Sequence, residues 1–149
     1  MIEFPLLSVL MTSYNRETFI AQAIESVLAS VYTNFELIVS DDCSTDATVA
    51  VARNYAARDA RIKVFVNEQN MGDYLNRNKA ASYATGEYIK YLDSDDIMYP
   101  HCLQVMVAAM EQFPEAGFGV SSVSDASRPY PVCLLPKESY HEHFYGYGH

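Results

Sequence analysis

Glu87-Tyr88-Ile89-Lys90-Tyr91-Leu92 runs directly into Asp93-Ser94-Asp95-Asp96, and the reading of this stretch decides the fold. The first part reads as a strand, and the second crowds three carboxylates into one turn of chain. Their mutual repulsion is costly unless a cation or hydrogen bonds offset it. Two readings stand: a divalent-cation site, or a strand-to-helix junction whose aspartates cap the next helix.

Working outward, the same pattern recurs. Leu7 to Met11 is a short apolar run ending in Thr12-Ser13-Tyr14-Asn15, and Glu36 to Ser40 is a second run ending in Asp41-Asp42. Ile62 to Val66 reads as a third strand. Between them, Ile20, Ile24, Val27, Leu28 and Val31 recur at helical spacing within Glu17 to Val31, predicting one apolar face. Ser44-Thr45-Asp46 is a helix start, with the helix continuing to about Ala57. Asn70-Met71-Gly72 is a loop signal, Leu75 to Tyr83 a helix closed by Thr85-Gly86, and Pro100 stands near the start of a helix reaching Phe113. Gly117 to Val123 is read as a fifth strand.

Strands alternating with helices of this length predict an α/β fold: a doubly wound, mostly parallel sheet with helices on both faces. Ligands then bind beyond the carboxyl ends of the strands, where strand order reverses. The first, second and fourth strands all end in polar clusters, so Thr12 to Asn15, Asp41-Asp42 and Asp93 to Asp96 are expected on one edge. Ser44 and Asp46 are better placed than either aspartate of Asp41-Asp42 to cap the second helix, which leaves a carboxylate free to accept a hydrogen bond from a base N–H or a ribose hydroxyl. There is no GxGxxG after the first strand and no GxxxxGK[ST], which removes the main support for dinucleotide oxidoreductases and P-loop nucleotidases.

Half of the 149 residues are hydrophobic, enough for a core without disulfides. Nineteen acidic against ten basic residues give a net charge of -9, which disfavours nucleic acid as a partner and implies that a diphosphate would need a cation. Cys43, Cys102 and Cys133 form no CxxC pair and read as reduced thiols; the amino terminus has no basic n-region, and its apolar run is too short to span a bilayer. The expected location is cytoplasmic, allowing attachment to the inner face of the membrane.

Taken in order, Leu7 to Asn15, Phe35 to Asp46, Asn70-Met71-Gly72 and Gly86 to Asp96 resemble family 2 glycosyltransferases over roughly the first 125 residues. The resemblance implies a GT-A, Rossmann-like nucleotide-binding half that takes a sugar from a nucleoside diphosphate, usually with inversion, in cell-surface polysaccharide biosynthesis. It places Thr12 and Tyr14 in the nucleoside pocket, Asp42 on the base edge (commonly uracil), Asp93 with Ser94 by the ribose and sugar, and Asp95 on Mn2+ or Mg2+ with Asp93 nearby. Arg77 or Lys79 would offset phosphate charge, or lie on a solvated helix face.

The domain expectation is 1–125 for donor binding and 126–149 for the start of an acceptor-side region or tail. The family's general base has no match here: Asp125 and Glu138 lie outside any such motif and read as surface or loop residues, so the base is expected outside this chain. His141, His143 and His149 lack a completing ligand set, and Tyr140, Tyr145 and Tyr147 read either as an acceptor groove or as packing residues. The acceptor, whether sugar, lipid or protein, is open, and an uncovered edge would favour self-association. A sugar nucleotidyltransferase and a non-catalytic nucleotide-binding module are the alternatives. The first usually opens with a glycine-rich basic loop absent from Thr12 to Arg16; receiver-like modules end their first strand in acid, and this chain does not.

Overall fold

The computed structural model describes residues 4–119. In chain order it contains β1 (Leu7–Ser13), α1 (Ile20–Leu28), β2 (Phe35–Asp41), α2 (Thr48–Ala56), β3 (Ile62–Val66), α3 (Asp73–Ser82), β4 (Tyr88–Asp93) and α4 (Cys102–Gln112). The four strands form one parallel sheet in the order β3-β2-β1-β4. One compact unit, Met1–Gln104, holds the whole sheet, and α4 crosses into a second unit that begins at Val105.

Right-handed crossovers put α1 and α2 on one face, because both step outward from β1 to β3. The connection through α3 runs back past β2 and β1 to reach β4, so α3 lies on the other face. Every residue of β1 and β2 is buried, as two-sided helix cover requires. Period-2 alternation then separates the faces. Leu10 and Ile38 form a core cluster with Ala80 of α3, flanked by Phe65 and by Tyr83, whose rings stack 3.8 Å apart. Val9, Met11, Leu37 and Val39 point to the opposite face and are wholly buried.

Several boundaries differ from those expected, for local reasons. α1 begins at Ile20 rather than Glu17 because Glu17 is engaged elsewhere: its carboxylate accepts from Ala47 N–H at 2.8 Å, and its own N–H donates to Asp46 at 3.1 Å. α1 ends at Leu28, and Val31, expected on the buried face, is 57% exposed, its N–H donating to the carbonyl of Pro100. α2 starts at Thr48, whose N–H donates to Asp46 at 2.9 Å. α3 starts at Asp73, two residues early, because Gly72 enters it with a φ of 85° that suits glycine. Gly117 to Gly119 form no strand, and the remainder of the expected fifth strand lies outside the described residues.

Gly86 does more than end a helix. A Cβ there would meet Ser8 N at 2.6 Å and Leu6 O at 2.8 Å, so only glycine lets the α3–β4 connection pass this close to the start of β1. Beside it lies Glu36, 5% exposed, which accepts from Ser8 Oγ (2.6 Å), Thr85 N–H (2.7 Å), Thr85 Oγ1 (2.8 Å) and Lys63 Nζ (2.7 Å). Burial pushes its pKa up, but the Lys63, Ser8 and Thr85 bonds outweigh it and bring the carboxyl from 4.5 to about 2.

Because this folded pKa lies below the unfolded one, the contribution of Glu36 is complete above pH 4.5 and is lost as pH falls toward 2. Urea unfolding at pH 5 and pH 2.5 should show the wild type losing about 2 kcal/mol more than Glu36→Gln. Parallel losses in the two proteins would refute this assignment.

Candidate donor site

The strand order 3-2-1-4 reverses direction at β1, so the carboxyl ends of β1 and β4 flank the crevice at which a doubly wound sheet binds its ligand. Register places Thr12 beside Asp93 and Ser13 beside Asp41 at that edge. The loops leaving β1 and β2 are interlocked. Asn15 N–H donates to Ser44 Oγ (2.8 Å), Thr45 N–H to Asn15 Oδ1 (2.9 Å), and Asp42 N–H to the carbonyl of Ser13 (2.8 Å). Asn15 (φ 51°) and Cys43 (φ 66°) hold left-handed conformations here, uncommon outside glycine and frequent at functional sites.

The two neighbouring aspartates do different things. Asp41, with no exposed surface, accepts from Ser13 Oγ (2.9 Å), Ser44 N–H (2.7 Å) and Ser44 Oγ (2.6 Å), locking the β1 and β2 ends together. Asp42 is not the uncommitted carboxylate that the sequence suggested. It accepts from Asn67 Nδ2 (2.9 Å), Met71 N–H (3.0 Å) and Gly72 N–H (2.8 Å), which ties the turn before α3 to the end of β2.

A cleft of about 510 Å³ opens over this edge, within the usual range for small-molecule sites. Thr12, Tyr14, Asp42, Arg77, Asp93, Ser94 and Asp95, all singled out from sequence, line it together. Lys79 does not. Ser13, expected at this edge, also lines it, together with Arg16, Asn70, Gly72, Asp73 and Asn76, to which the sequence assigned no site role. Asn70-Met71-Gly72 was visible as a turn signal and as one of the motifs of the family resemblance; that the turn folds back over Asp42 is a tertiary fact.

Charge in the cleft is arranged in pairs. Arg77 Nε lies 2.9 Å from Asp73, and its NH2 lies 2.5 Å from Asp93. Burial works against the guanidinium's charge, but the Asp73 and Asp93 bonds outweigh it and raise its pKa further. Arg16 Nε lies 3.3 Å from Asp95, with both side chains a little under half exposed. Asp42, Asp73, Asp93 and Asp95 thus face two guanidiniums, and a diphosphate entering this acidic cleft is best accommodated with a divalent cation.

Among the described residues no three His, Cys, Asp or Glu side chains are grouped to hold a metal. Asp95 and Asp93 are the exposed carboxylates of the cleft that could hold a cation. Neither Cys43 nor Cys102 is in a disulfide, and no helix among the described residues is long and apolar enough to cross a membrane. Cys133, Asp125, Glu138, the histidines at 141, 143 and 149, and the tyrosines at 140, 145 and 147 lie outside the described residues.

Comparison with known proteins agrees with the geometry. The family described as glycosyl transferase family 2 matches residues 8–146, and the chain belongs to it. It is 43% identical over 109 residues to the putative glycosyltransferase EpsE of Bacillus subtilis (strain 168), a match covering 72% of this chain and 39% of EpsE. It is 42% identical over 105 residues to WfgD of Escherichia coli, named UDP-Glc:alpha-D-GlcNAc-diphosphoundecaprenol beta-1,3-glucosyltransferase, covering 70% of this chain and 41% of WfgD. Among solved structures, residues 1–349 of Staphylococcus aureus TarS in complex with UDP-GlcNAc share 29% identity at a TM-score of 0.68, over 78% of this chain and 37% of that one. The sheet and its helices form the amino-terminal part of a GT-A fold. The chain spans about two fifths of the length of EpsE and WfgD.

The contrast between the site's aspartates gives a measurable difference. Asp41→Ala strands three buried or half-buried donors and should cost about 2–4 kcal/mol in urea unfolding. Asp95→Asn removes one exposed ion pair and should cost less than about 1 kcal/mol. Equal losses would mean that the division between structural and exposed carboxylates is wrong.

Proposed function

We propose that this chain binds a nucleoside-diphosphate sugar, a UDP-sugar by preference, in the cleft between the ends of β1 and β4, as the donor side of a glycosyltransferase. The observation that carries this reading is the convergence of Tyr14, Asp42, Asp93 and Asp95 on one cleft at the strand-order reversal. The UDP-GlcNAc complex of TarS, whose fold this chain shares, supports the choice of donor.

In this reading Tyr14, 44% exposed at the mouth of β1, offers its ring face to the base, while Thr12 lines the nucleoside pocket beneath it. Asp42 accepts the base N–H at its cleft-facing edge, beside the donors that already hold it. Asp93 and Ser94 lie by the ribose and sugar. Asp95, which swings from Arg16, and Asp93 are the residues that would hold Mn2+ or Mg2+. The cation supplies neutralisation of the negative charge that grows on the departing diphosphate. Arg77 stays charged at the cleft wall and adds a fixed cation there.

Holding the diphosphate at this edge fixes the anomeric carbon for in-line attack by an acceptor hydroxyl, with inversion. The described residues provide no matched general base, and we place that carboxylate outside them, on the acceptor side of a longer protein. The name of WfgD supports a lipid-linked sugar as the acceptor class, which would bring the protein to the cytoplasmic surface of the membrane in cell-surface polysaccharide assembly.

Calorimetric titration of UDP with and without Mn2+ tests the assignment. Asp95→Asn should weaken the Mn2+-dependent affinity about tenfold or more, and leave the weaker metal-free binding unchanged. Equal affinities for the two proteins in Mn2+ would remove Asp95 from the metal shell.

A further inference from the structure

Behind Asp42 lies a buried chain of amides whose polarity is fully determined. A carboxylate only accepts, so Asn67, whose Nδ2 lies 2.9 Å from Asp42 Oδ1, must present its NH2 group to it. The same Nδ2 lies 3.0 Å from Asn76 Oδ1, so Asn76 must present its oxygen there. Asn76 Oδ1 then takes the Ser40 hydroxyl at 2.7 Å, and Asn76 Nδ2 donates to the Ser40 carbonyl at 2.9 Å. Ser40, Asn67 and Asn76 are each at most 3% exposed. Flipping either amide would set like against like at two contacts.

This order is kept at a cost. Asn67 Oδ1 is buried and accepts from no group among the described residues, although an unpaired buried acceptor is unfavourable. A residue selected for packing alone has no reason to carry that penalty. What the arrangement secures is the attitude of Asp42: Asn67 holds Oδ1 from the β3 side, Gly72 N–H holds Oδ2 at 2.8 Å, and Met71 N–H straddles both at 3.0 and 3.1 Å. These three donors make four contacts, two on each oxygen, so the carboxylate is held at both ends while its edge faces the cleft, where a ligand N–H would share an oxygen already held.

We propose that the Ser40–Asn76–Asn67 chain is a positioning device that sets pyrimidine selectivity through Asp42; this rests on the donor reading above. A single fixed acceptor receives the N3–H of uracil and repels the N3 lone pair of cytosine. A carboxylate released to rotate can instead meet the exocyclic amine of cytosine, and discrimination falls. Ser40 and Asn67 do not line the cleft, so changing them acts on a ligand only through the cleft residues they hold, Asp42 and Asn76.

The test measures UDP and CDP affinities in Mn2+ for the full chain, for Asn67→Ala and for Ser40→Ala, with thermal melts to verify folding. The expected result is a wild-type preference for UDP that falls about tenfold in Asn67→Ala, and by less in Ser40→Ala. A role limited to stability would lower both affinities together, and an unchanged UDP-to-CDP ratio in folded variants overturns the proposal. If Asn67→Ala does not fold, the ratio in Ser40→Ala decides. Wild-type binding of UDP without preference over CDP overturns the positioning role alone; absence of UDP binding by the folded wild type overturns the donor reading with it.

Discussion

The structure depends on one constraint: the chain leaving β3 cannot pair onward but must travel back across β2 and β1 before laying down β4. Right-handedness then forces α3 onto the face opposite α1 and α2, and the sheet acquires a point where its strand order reverses. That reversal opens the crevice and brings the acidic end of β4 beside Thr12. The close passage of Gly86 against Leu6 and Ser8 is what permits β4 to dock in register with β1.

The two faces of the sheet are built from different chemistry as a result. The α1/α2 face is packed with Val9, Met11, Leu37 and Val39. The α3 face is apolar only at its centre, around Leu10, Ile38 and Ala80. Toward the amino edge it carries the Glu36 cluster, and toward the carboxyl edge the amides beneath Asp42. Buried polar groups on this scale are tolerable only when their partners are fixed. The apolar face supplies adhesion, and the polar one holds a loop turn and a carboxylate in place at the ligand edge. Burial also sorts the acids: Asp41 and Asp42 are enclosed and each held by three donors, whereas Asp93 and Asp95 remain nearly half exposed and able to exchange partners.

Much of this was legible in the sequence, because apolar period and strand-end polarity are local signals. Ile62 to Val66 was read to the residue, and the seven site residues assigned from the motifs do share one cleft. What escaped the sequence was tertiary. Glu17 and Asp46, good helix starters by type, exchange bonds across two loops and shift both helix starts. Val31 continues the apolar spacing of α1 but falls past its end into solvent. Asp42 looked free because its donors, Asn67 and the 71–72 backbone, lie 25 to 30 residues away in sequence. Arg16 was given no role for the same reason: its partner, Asp95, lies in the turn after β4, far along the chain.

The central claim, that a nucleoside-diphosphate sugar lies at the reversal point, is tested most directly by amide chemical-shift mapping with UDP and Mg2+. The account predicts saturable perturbations at Thr12 to Arg16, Asp42, Asn70 to Arg77 and Asp93 to Asp95, with α2 and the amino ends of the strands unmoved. Perturbations centred on α2 or on the Glu36 edge, or none at millimolar nucleotide, would contradict it.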